Sequence, residues 1–110
     1  MTLYRWDSSE RKFTRTSVQR TIKPKEGSRR VRVEKGQRVR AEVATGDLMI
    51  QMIEGAWRMQ IANSQLTVRH DEAIIIPSGF SHSAIAIEDS FAVQMEDDQE
   101  YSANDSRWAV

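Results

Sequence analysis

Ala73-Ile74-Ile75-Ile76-Pro77-Ser78-Gly79-Phe80-Ser81-His82 is the stretch on which the fold of this chain turns. Three consecutive isoleucines make a short, fully apolar run bounded by turn residues, the signature of a buried strand. Pro77 carries no backbone donor and ends that strand, and Gly79 supplies the freedom a tight turn needs. His82 then stands at the entrance to a further strand expected over Ser83–Ile87.

Working outward, the same alternation recurs along most of the chain. Arg29-Arg30-Val31-Arg32-Val33 and Arg38-Val39-Arg40-Ala41-Glu42-Val43-Ala44 have period two, as half-buried strands do. Turn signals fall at Lys25-Glu26-Gly27, Lys35-Gly36, Thr45-Gly46-Asp47, Glu54-Gly55 and Asn63-Ser64. Further strands are expected at Leu48–Ile53, Ala56–Ile61, Gln65–Val68, Ala73–Ile76 and Phe91–Met95. No segment has convincing helical periodicity. Short strands separated by frequent turns predict an all-β sandwich or barrel. Residues 1–17 are polar with isolated anchors at Leu3, Tyr4, Trp6 and Phe13, and read as an N-terminal arm; residues 18–96 read as the barrel and 97–110 as an acidic tail.

Composition narrows the classes. At 110 residues and 39% apolar content the chain has enough material for one core. It has no cysteine, which excludes disulfides and thiolate chemistry. There is no apolar h-region near Met1 and no apolar run of spanning length, so a soluble, cytoplasmic protein without a membrane partner is expected. The zero net charge conceals a split: residues 1–40 hold 13 Lys/Arg against 4 Asp/Glu, and residues 41–110 hold 3 against 12. Basic strands pairing beside acidic ones account for that split. With few aromatics among the basic residues and no nucleic-acid motif, no nucleic-acid partner is expected.

The spacing of these residues resembles the paired motifs of the cupin superfamily. The second motif, G-x5-P-x-G-x2-H-x3-N, matches at Pro77, Gly79 and His82, with Asp71 at its first glycine and Ala86 at its asparagine. Asp tolerates the left-handed turn that this glycine makes. The first motif, G-x5-H-x-H-x3-E-x6-G, fits its glycines to Gly36 and Gly55 without a gap. Its histidine positions hold Glu42 and Ala44, and its glutamate position holds Leu48. The resemblance covers about residues 30–96 and implies an antiparallel jelly-roll (cupin) β-barrel, usually a homodimer joined through N-terminal strands.

It also implies where the site is. The family's ligand positions point into the barrel, which places Glu42 and Ala44 in the cup and Arg40 towards its rim. Leu48, Ile50 and Met52 then face inward, while Val39, Ala41 and Val43 face outward, where a second subunit would cover them. Trp57, Met59 and Ile61 share one face of the next strand. The expected lining is Arg40, Glu42, Ala44, Leu48, Ile50, Met52, Trp57, His82 and Ala84; a slip of one residue would bring Val39, Ala41 and Val43 to the cup instead. Ala44 and Leu48 offer no donor atoms, so neither metal nor other cofactor is expected. His70, one residue before the Asp71 turn, is expected at the barrel's edge, away from the cup.

Two functions stay open on these residues. One is a non-catalytic binding or sensing module for a small, partly apolar molecule, suited to a mostly apolar cup. The other is an enzyme, either metal-free and epimerase- or isomerase-like or weakly metal-dependent and dioxygenase-like, with His82 and Glu42 as its acid–base pair. The structural alternatives are that Glu42 pairs with Arg40 or Arg58, and that the barrel fills itself with Leu48, Ile50 and Met52. Met49, Met52 and Met59 suit core positions.

Overall fold

A computed structural model describes residues 1–18, 27–39 and 46–97. The strands are β1 (Thr2–Asp7), β2 (Lys12–Ser17), β3 (Arg29–Val33), β4 (Arg38–Val39), β5 (Asp47–Glu54), β6 (Ala56–Ile61), β7 (Ser64–Arg69), β8 (Glu72–Ile76), β9 (His82–Ala86) and β10 (Ser90–Asp97). Six of them form one sheet in the order β2-β1-β8-β5-β10-β3, and four form a second in the order β4-β9-β6-β7. Among the described residues there is no helix, and so none that is long and apolar enough to cross a membrane. The all-β expectation and the six strands expected between Leu48 and Met95 are met to within a residue or two at most ends.

Alternation explains why the sheets face each other. In β6, Trp57, Met59 and Ile61 are buried while Arg58 and Gln60 are exposed; in β9, His82, Ala84 and Ala86 are buried while Ser83 and Ile85 are exposed. Cross-strand partners Met59–Ala84 and Trp57–Ala86 put these inner faces in register. Leu48, Ile50 and Met52 of β5 and Ile74 and Ile76 of β8 meet them from the opposite sheet, forming one interior cluster. Hydrocarbon of this size contributes about 1.5–3 kcal/mol per fully buried side chain, which makes this cluster the main hold between the sheets. Trp57 buries its one polar atom without loss, because its Nε1 donates to the Ser90 hydroxyl at 2.6 Å, and that hydroxyl donates to the Val33 carbonyl at 3.2 Å. A second cluster, including Leu3, Met49, Ala73, Ile75, Val93 and Met95, lies on the other face of the six-stranded sheet.

Turns follow the sequence signals closely. Asp71 has φ +63°, the left-handed conformation expected where it replaces a glycine. Its carbonyl accepts from Thr2 N–H and its N–H donates to the Met52 carbonyl, tying three strands together. The Pro77–Phe80 turn closes through Phe80 N–H on the Pro77 carbonyl, and Asp47 Oδ1 accepts from Ser78 N–H at 2.8 Å.

Two features differ from the sequence reading. Residues 2–17 are not a separate arm but the hairpin β1–β2, and β1 runs parallel to β8 of its own chain, with Leu3 beside Ala73. The hairpin escapes the pattern because β2 is an edge strand, exposed along most of its length. Val39 faces the interior rather than outward: it pairs with Ala84 and packs on the interior cluster, so Arg38 takes the outer face. Pairing with β9 sets that parity. Of the features that spoke for a second subunit, the N-terminal strand and Val39 thus have partners within one chain, while Ala41 and Val43 lie outside the described residues.

Candidate functional site

Five of the residues expected to line the cup come together. Leu48, Ile50 and Met52 on β5, Trp57 on β6 and His82 on β9 all face the space between the sheets, with exposures of 7, 0, 1, 0 and 7%. Ala84 joins them at 4%. Arg40, Glu42 and Ala44, with Ala41 and Val43, lie outside the described residues. What the five form is a packed wall, since Leu48, Ile50, Met52 and Trp57 belong to one continuous cluster with Met59, Ile61 and Val68. His82 sits at the end of this wall, paired with Ile61, with its Nδ1 buried. A hollow of ≈ 210 Å³ opens beside it, bordered by Gln60, Ala62, Ser81 and Ser83. His70 is exposed at the β7–β8 turn, as expected.

Among the described residues the donor set does not fit the metal that the family resemblance implies. Leu48 stands where a glutamate ligand would be, and it is buried in hydrocarbon. Among the described residues no group of three or more His, Cys, Asp or Glu side chains is placed to hold a metal ion. No metal-dependent step can be drawn from these residues.

A different polar cluster joins the hairpin to the barrel. The Tyr4 hydroxyl donates to the Glu72 carboxylate at 3.4 Å, Arg69 N–H donates to Glu72 Oε1 at 2.8 Å, and Arg15 reaches Oε2 at 3.7 Å. Burial first, and the Glu72 charge second, push the Tyr4 phenol above its usual 10.0. Its role is structural, holding β1, β2, β7 and β8 at one corner.

A concavity bordered mainly by outward-facing residues lies on the four-stranded sheet. It measures ≈ 540 Å³; the outward-facing Arg38, Arg58, Gln60, Gln65, Ser83 and Ile85 border it, together with Val39, Met59 and Ala84 of the same strands. The sequence reading gave the outward-facing residues no such role. The signal was present in the parity of β6 and β9, but Arg38, Ile85 and Arg58 become neighbours only once the order β4-β9-β6 is known.

Solved structures share this arrangement of sheets. A conserved protein of unknown function from Streptococcus pyogenes superposes with a TM-score of 0.58 at 21% identity, covering 64% of this chain and 63% of that one. A cupin superfamily protein from Desulfitobacterium hafniense gives 0.57 at 12% identity, over 68% and 82% of the two chains. The cupin domain of Drosophila melanogaster CENP-C gives 0.58 at 16% identity, over 70% and 65%.

The chain has the cupin fold.

At these identities the likeness concerns the fold alone, and it spans less than two thirds of the Streptococcus protein. No protein-family model and no curated protein matches the sequence of this chain. Within the fold, the strands that carry the motif residues are the ones that build the interior wall: β5 brings Leu48, and β9 brings His82.

Proposed function

We propose that this cupin-fold chain is a non-catalytic binding module for a small, partly apolar molecule. The observation that carries the reading is Leu48, a hydrocarbon side chain packed against Ile50, Met52 and Trp57 where the family's motif has its carboxylate. A wall of this kind lends itself to rigidity and recognition more than to proton or electron transfer. The open concavity of ≈ 540 Å³ has the size of small-ligand sites, roughly 300–1,000 Å³. A second reading, a metal-free acid–base enzyme using His82 and Glu42, draws on the buried His82 ring at the edge of its hollow.

Native mass spectrometry of the gently desolvated protein, with a metal analysis alongside, tests the proposal. A metal-free species carrying extra small-molecule mass is the expected result. About one equivalent of metal per chain would overturn it. The same spectrum reads the oligomeric state, for which a homodimer remains the proposal. The enzyme reading is tested by turnover of any substrate so identified, which must collapse in both His82→Ala and Glu42→Ala.

A further inference from the structure

On the outer face of the four-stranded sheet, Arg38 of β4 pairs with Ile85 of β9, and Ile85 pairs with Arg58 of β6. Adjacent strands lie about 4.8 Å apart, so the two arginine backbones straddle Ile85 at about 10 Å. One step along, Ser83, Gln60 and Gln65 form a parallel polar row. Gln65 Nε2 donates to Gln60 Oε1 at 2.8 Å, which fixes the Gln60 side chain.

Three observations make this row a site rather than ordinary surface. First, Ile85 is 39% exposed, a large apolar side chain left in the open between two cations. Second, both arginines are exposed, and among the described residues no carboxylate pairs with either. The two guanidinium groups give this face a local positive charge that an anion seated there would complement. Third, the row borders the ≈ 540 Å³ concavity, and none of its described lining residues is acidic.

We infer that this outer face binds a small dianion with an apolar body, an α,ω-dicarboxylate. Its hydrocarbon lies on Ile85, and each carboxylate takes one guanidinium in the two-pronged geometry that suits arginine. A second copy of the chain is a poor occupant, since packing the same face on itself would oppose four guanidinium groups. The inference rests on the binding-module reading and names its ligand class and its place.

The test is an NMR titration of the full chain, isotope-labelled, with octanedioate as the probe and octanoate and 1,8-octanediol as controls. Octanedioate is expected to shift the Ile85 methyl and Arg58 and Ser83 amide signals, to bind at least tenfold more weakly to Arg38→Gln or Arg58→Gln, and to weaken with added salt. Both substituted residues are exposed, so the variants should fold, and an unchanged amide spectrum verifies that they do. Equal shifts with the diol, an unchanged affinity in the double variant, or no Ile85 shift with any dicarboxylate from four to ten carbons would each overturn the inference. Shifts confined to Trp57 and His82 would overturn the outer-face site and leave the binding module standing. Loss of the module itself is read separately, from the native mass spectrum.

Discussion

Gly55 closes the β5–β6 turn with φ +79°, and a Cβ there would lie 2.8 Å from both Cα and Cβ of Ser90. Two penalties therefore fall on one substitution, left-handed strain and a clash with backbone that cannot swing aside. Ser90 is the residue that accepts from the Trp57 indole, so the disturbance reaches the interior. Gly55→Ala is expected to cost about 2–4 kcal/mol, measured as a lower urea midpoint at unchanged slope. A midpoint within experimental scatter of the parent would contradict the geometry. Asp71 makes the complementary point. Its φ of +63° was legible from its place in the motif, because a side chain that tolerates this region stood where a glycine was due.

Among the elements, β6 and β9 could be read because each buries one face and exposes the other, and β5, β8 and β10 as short apolar runs buried on both faces, whereas the hairpin β1–β2 could not. Its turn is instead organised by a single carboxylate. Asp7 Oδ1 accepts from Ser9 N–H at 2.9 Å, the Ser9 hydroxyl at 2.7 Å and Glu10 N–H at 3.2 Å. The Ser9 hydroxyl, followed by the Glu10 amide, holds this carboxyl below its usual 3.8. A carboxyl whose folded pKa is depressed stabilises above its unfolded value and loses that contribution as pH falls through the folded one. Amide exchange in β1 and β2 should therefore accelerate below about pH 4 relative to β5 and β10, and Asp7→Asn should remove the difference. Equal protection of hairpin and barrel down to pH 2 would refute this. The candidate site divides the same way. Leu48, Ile50 and Met52 were placed inward by the motif positions of the resemblance, and Trp57 by the face it shares with Met59 and Ile61. The row Arg38–Ile85–Arg58 joins residues far apart in sequence, and only the strand order brings it together.

For the whole molecule, the interior wall sets both stability and what a ligand can reach. Leu48 is 7% exposed within the cluster that joins the two sheets. Leu48→Ala is expected to cost about 2–5 kcal/mol in denaturant melts, the range for cavities left by a buried leucine. A loss under about 1 kcal/mol would mean that the space between the sheets is loose enough to hold a guest. Self-filling of the barrel and recognition on its outside are then two sides of one design, with the core keeping the sheet rigid beneath the arginine row. The parallel seating of β1 has a consequence for synthesis. Thr2, Leu3 and Tyr4 pair with Glu72, Ala73 and Ile74, so β1 can zip to its neighbour β2 early but reaches its place beside β8 only after some seventy further residues have been made. Until then Leu3 lacks its cover from Ala73, open to capture by chaperones, and β1 is locked into the sheet only once β8 has followed it.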